Sequence, residues 1–195
     1  MEDLEAFARL VTALQPWLGQ LVVVGGWAHR LHRFHRFAKP LDHQPLLTRD
    51  TDLAFSPDEE LAGDVRTALT EAGFTEELFG DDAPPATHYR LGEDEAGFYA
   101  EFLTPLRGSG LKRDGMPDAT VSKAGITAQK MRHLELVLGS PWSVRIRPEK
   151  GIPIAADVEL FVPNATSFIV QKLLIHSDRP PHKKAQDILY IHDSL

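Results

Sequence analysis

Asp50 and Asp52, in Thr48-Arg49-Asp50-Thr51-Asp52-Leu53, have the spacing best suited to chemistry. In an extended strand, residues two apart share a face, so both carboxylates would point the same way. Two neighbouring negative charges are costly unless a cation lies between them. Magnesium takes hard oxygen ligands and keeps places for water and phosphate, so a carboxylate pair on a strand suits it. By itself a D-x-D pair is better read as a solvated strand end, and two further features change the balance. Gly25-Gly26 follows the β-branched run Gln20-Leu21-Val22-Val23-Val24 and precedes a helical stretch. Glycine lets the backbone approach a phosphate closely, and a helix N-terminus presents free N–H groups to an anion. Glu101 lies among Phe98, Ala100, Phe102 and Leu103, where an ionised carboxylate needs a partner or a metal. Three such carboxylates brought together would complete a two-metal site, with ions about 3.5–4 Å apart stabilising the attacking and leaving oxygens of an in-line displacement.

These residues need a frame. Leu4, Phe7, Val11 and Leu14 recur at helical spacing, the run 20–24 reads as a buried strand, and a helix is expected from Trp27 to about Phe37, before Pro40. Residues 50–55 read as the next strand. Ser56-Pro57-Asp58-Glu59 combines a cap, a first-turn proline and a capping-box glutamate, which predicts a helix start there, with Leu61, Val65 and Leu69 on one face and Gly73 as its stop. Ser56 is thus expected to be a cap and not a nucleophile. Strands are expected at 74–79, 87–91 and 98–103, with the polar Gly92-Glu93-Asp94-Glu95 as a hairpin loop and 106–115 as a surface loop. Helical and strand patterns compete over 126–138. Residues 142–147 and 152–161 read as a second hairpin. Asn164 can cap a helix to about His176, Arg179-Pro180-Pro181 interrupts it, and a last helix runs from Lys183. This irregular interleaving favours an α/β or α+β fold with a mixed sheet. The expected division is a core at 1–162 and a C-terminal helical segment at 163–195 packed on it.

A hydrophobic fraction of 43% permits a sizeable core and argues against disorder. The absence of cysteine excludes disulfides and cysteine-based zinc sites. Met1-Glu2-Asp3 lacks the pattern of a signal peptide, and the apolar run 21–28 is too short to cross a bilayer. A cytoplasmic protein with no membrane partner is expected. The net charge of −7 leaves a local basic patch as the route to any nucleic acid.

The order Gly25-Gly26, Asp50-x-Asp52, then a carboxylate on a later strand resembles the DNA polymerase beta-like nucleotidyltransferase superfamily. Phe168-Ile169-Val170-Gln171-Lys172-Leu173-Leu174, Arg179, Lys183-Lys184 and Asp187-Ile188-Leu189 are similar to the AbiEii-type toxin branch and its relatives. The resemblance implies a mixed-sheet core with flanking helices, magnesium, and a nucleoside triphosphate donor such as ATP. It implies that Asp50 and Asp52 bind both metals, and that Glu101 binds the catalytic one and helps deprotonate an acceptor hydroxyl. Gly25 and Gly26 would cradle the triphosphate. Arg49, Lys172, Lys183 and Lys184 would stand at its phosphates, and Asp187 would be structural or catalytic. The acceptor implied is RNA, tRNA or a protein hydroxyl, and toxin-like relatives imply an antitoxin partner. Two other readings stay open: transfer to a small molecule such as an aminoglycoside, and a catalytically inactive module that binds nucleotide or a partner.

His29, His32, His35 and His43 with Arg30, Arg33 and Arg36 make a basic patch. It fits a solvated helix face, contact with triphosphate or RNA, or metal ligation. Arg107, Lys112 and Arg113 fit a solvated loop or an acceptor contact. Trp27 and Trp142 are expected in the core.

Overall fold

The computed structural model describes residues 3–46, 48–92 and 97–195. Met1-Glu2 and Glu93-Asp94-Glu95 of the expected hairpin loop lie outside the described residues. The apolar spacing of the N-terminal segment produces helix α1 (Asp3–Ala13), whose Phe7 stacks on Trp27 with ring centroids 3.9 Å apart. The valine run forms β1 (Val22–Val24), buried throughout, and the chain passes from it directly into α2 (Gly25–His32). β1 pairs antiparallel with β2 (Asp50–Ala54) and parallel with β9 (Val158–Val162).

Beyond β2 the sheet continues through β5 (Phe98–Pro105), which is parallel to it, then β4 (Ala86–Leu91) and β3 (Thr75–Phe79). On the other side of β9 the antiparallel β8 (Trp142–Ile146) forms the edge. Past the end of β4, the last residues of β5 pair instead with β7 (Ile126–Met131), which forms a hairpin with β6 (Thr120–Lys123). The result is a mixed, open sheet of nine strands among the described residues, carried with six helices. The main apolar cluster joins α1, α2 and the sheet, and it takes in Phe168 and Tyr190 from the two C-terminal helices.

The sequence expectations differ from the fold in four places. Residues 56–59 do not start a helix: the Ser56 hydroxyl accepts from the Asp58 N–H and closes a turn, while Lys123 bonds the carbonyls of Pro57 and Glu59. The helix α3 (Val65–Glu71) begins later, capped by Asp64, whose carboxylate accepts the Thr67 N–H at 2.9 Å. α2 ends at His32 instead of Phe37, because the following N–H groups bond three residues back and form turns. The ambiguous 126–138 segment holds both structures, β7 followed by the short α4 (Leu134–Leu138). β9 covers only the end of the expected 152–161 strand, and β6 is a strand that the sequence pattern does not announce. At the C-terminus the expectations match: Asn164 caps α5 (Ala165–Ile175), and α6 (Pro181–Ser194) begins at the proline pair. Among the described residues no helix is long and apolar enough to cross a membrane.

Candidate active site

Strand alternation puts Asp50 and Asp52 on one face of β2, half-buried, with Thr51 buried on the other. The parallel register sets Glu101 of β5 directly beside Asp52 and Tyr99 beside Asp50. The carboxyls of Asp52 and Glu101 face each other across the two strands, and each acts on the other's ionisation. Desolvation, that contact and the charges of Glu101 and Asp50 push Asp52 well above the usual carboxylate range. Burial also opposes ionisation of Glu101, yet its bonds from His88 and Asp52 outweigh this and hold it below its ordinary value.

His88 lies opposite Glu101 on β4, its Nε2 2.9 Å from Glu101 Oε2. Its ring is stacked between Phe79 at 4.5 Å and Tyr99 at 5.5 Å, which fixes its direction. Sequence reasoning missed it. Alternation along β4 is visible in the sequence, but which residue of β4 faces Glu101 depends on register between distant segments.

The turn from β1 into α2 closes the floor of the site. Gly25 has φ +65°, and a Cβ added there would collide with the Asp52 carboxylate, lying 3.1 Å from its Cγ. At Gly26 an added Cβ would come within 2.8 Å of the Tyr190 hydroxyl and 2.9 Å of Thr48 Cβ. Both positions exclude side chains, which leaves the backbone at the start of α2 lining the cavity.

The opposite wall comes from α5 and α6. Lys172 (3% exposed) and Asp187 (1% exposed) form a buried pair, Nζ to Oδ1 2.9 Å, and Arg179 Nε meets the other Asp187 oxygen at 3.1 Å. Burial lowers the Lys172 pKa, against the opposing pull of Asp187. Asp187 thus holds two cations in place. Lys183 Nζ stands 3.6 Å from Asp50 Oδ2. The enclosed cavity measures about 280 Å³, and Gly25, Gly26, Asp50, Asp52, Glu101, Lys172, Lys183 and Asp187 all line it, together with Tyr99, Arg179 and Tyr190. Two expected residues do not: Arg49 is exposed with its carbonyl accepting the Tyr99 N–H, and Lys184 lies outside the lining. Side-chain direction, which sequence order does not encode, separates them from their neighbours.

The histidine patch is only in part a solvated face. His29 is buried against Tyr190 and bonded to Asp193, and burial above all lowers its pKa to about 4. His32 bonds the Pro163 carbonyl at 2.8 Å, and Arg30 covers Trp27. Among the described residues no three His, Cys, Asp or Glu side chains are already closed around a common metal position. The donor set nevertheless suits a hard divalent ion: carboxylate oxygens of Asp50, Asp52 and Glu101 from adjacent strands, whose crowded negative charge a cation would offset.

An acid-lined cavity on a mixed sheet, floored by glycines at a helix start and walled by cations, defines an α/β protein with a charged site at the ends of its sheet strands. A family profile described as nucleotidyltransferase matches residues 2–193, so the chain belongs to that nucleotidyltransferase family. No curated protein matches the chain at a significant level.

Proposed function

We propose that this protein is a magnesium-dependent enzyme that transfers a nucleotidyl group from a nucleoside triphosphate, ATP among the candidates, to a hydroxyl of RNA, tRNA or protein. The observation that carries the reading is the Asp52–Glu101 pair, adjacent in register with Asp50 on the same face, beside the glycine turn. Asp50, Asp52 and Glu101 would hold the magnesium. When bound, magnesium neutralises phosphate charge and polarises the phosphorus under attack. Gly25 and Gly26 with the first N–H groups of α2 take phosphate oxygens. Lys183, now paired with Asp50, is the nearest cation to meet a phosphate once Asp50 has another partner. Lys172 and Arg179 add positive potential, held in position by Asp187. Glu101, kept ionised by His88, is the group placed to receive the acceptor proton.

The C-terminal motif supports an AbiEii-like, toxin-type role with an antitoxin partner. The division into a core at 1–162 and a wall at 163–195 is compatible with α5 and α6 closing one side of the cavity. The test is incubation with magnesium and α-labelled triphosphates over RNA, tRNA, protein and aminoglycoside acceptors. Transfer to RNA or protein, abolished by Asp52→Ala, is the expected result. Transfer confined to an aminoglycoside would move the acceptor to small molecules. Triphosphate binding with no transfer to any of them would leave a binding module.

A further inference from the structure

A second large groove lies where the chain after α2 meets the edge strand β8. It encloses about 840 Å³, and Arg33, Arg36, Arg145 and Arg147 line it, with Glu159 the acid among them. In a chain of net charge −7 this concentration of cations runs against the overall balance, and residues 29–41 contain no Asp or Glu at all. The guanidiniums are little used within the fold. Arg33 donates one N–H to the His43 carbonyl at 2.9 Å, while its Nε and Nη2 are shielded from solvent without a hydrogen-bond partner among the described residues. Arg36 is exposed and lies over the Phe37 ring at 4.5 Å. Arg145 is exposed, and the carboxylate of its cross-strand neighbour Glu159 accepts the Ser143 hydroxyl. Arg147 reaches Asp157 at 3.4 Å and Glu149 only at 3.9 Å. Among the arginines, half-buried His35 stacks on half-buried Trp142 with centroids 4.2 Å apart and planes 7° from parallel.

We propose that this groove seats a single strand of RNA, the acceptor of the transfer, through its phosphates and unstacked bases. The inference rests on the functional reading above. Guanidinium forks match phosphate oxygens, and the half-buried His35–Trp142 pair beside them offers aromatic surface to a base. An acidic peptide would satisfy the arginines but make no use of the aromatic pair. α2 joins groove and carboxylates, starting at Gly25 against Asp52 and ending at His32 beside Arg33. Its length is roughly 12 Å at ~1.5 Å per residue. That equals about three to four nucleotide repeats of ~3.4 Å, which sets the length of strand that would link the groove to the carboxylates.

Fluorescence anisotropy with a labelled single-stranded RNA of about 12 nucleotides, within the site sizes of single-strand binders, tests this. R36E/R145E reverses two exposed side chains of the groove. R9E, on the exposed face of helix α1, controls for general charge. Calorimetry with Mg–ATP reads the nucleotide site in each protein. R36E/R145E is expected to bind RNA at least about tenfold more weakly. The slope of log K against log salt is expected to fall by about 1.4, from ~0.7 for each phosphate that an arginine no longer neutralises. R9E and all Mg–ATP affinities are expected to stay at the wild-type level. Wild-type RNA affinity in R36E/R145E, an equal loss in R9E, absence of RNA binding, or preference of the wild type for an acidic peptide over RNA would each overturn the proposal. Failure of the wild type to bind Mg–ATP would refute the functional reading and with it the acceptor role, leaving the groove as an RNA-binding surface alone.

Discussion

Gly25→Ala is the sharpest perturbation the site allows, because it adds one methyl group where backbone and carboxylate meet. Two costs arise. At φ +65° an L side chain sits in the left-handed region, which costs about 1–2 kcal/mol. The new Cβ would also lie 3.1 Å from Asp52 Cγ and closer still to Oδ2, inside the 3.4 Å at which ordinary contact begins. Relief requires the Asp52 carboxylate to retreat by about 1 Å, and a misplacement of that size costs on the order of 10²-fold in rate. The expected outcome is a stability loss of about 2–3 kcal/mol in urea unfolding. Transfer should fall about 10²-fold, and Mg–triphosphate affinity should fall with it. Gly19→Ala is the control, since an added Cβ there meets nothing within 4 Å. If Gly25→Ala unfolds within about 0.5 kcal/mol of wild type and binds Mg–triphosphate equally well, the glycine turn does not abut the reacting groups and the reasoning fails.

Other expectations concern the charges around the cavity. Asp52 has a folded pKa above its unfolded value, so the folded chain holds an extra proton and loses stability as pH rises from the ordinary carboxylate range through the folded pKa. Asp52→Asn keeps a donor toward Glu101 and cannot ionise; without metal at neutral pH it should be more stable than wild type by roughly 1–2 kcal/mol, while transfer is lost. Thermal unfolding from pH 4 to 8 checks this, and a wild type that gains stability across that range relative to the variant would contradict it. Lys172→Met leaves Asp187 buried with Arg179 as its remaining counter-charge, and should cost about 3 kcal/mol in chemical denaturation. Asn164→Ala removes the cap bonded to the Ser167 N–H and should cost about 1 kcal/mol with Mg–ATP affinity unchanged, as calorimetry would show.

The parts of this protein with a local signature are legible in its amino-acid order. Alternation in β2 puts Asp50 and Asp52 on one face, the valine run and glycine pair mark a strand passing into a helix, and Asn164 marks the start of α5. Each follows from interactions within a few residues, which composition and period encode. Where a local signal competes with distant partners it misleads: Ser56-Pro57 carries a helix-start pattern, yet Lys123, far along the chain, draws the carbonyls that follow into a turn. Folding in three dimensions settles the rest. It brings Glu101 level with Asp52, sets His88 to orient it, lets Asp187 hold Lys172 and Arg179, and gathers arginines from the end of α2 and from β8 into one groove. These depend on register and on the packing of segments far apart in the chain. A one-residue slip in a strand turns every side chain to its other face without altering the composition that periodicity reads.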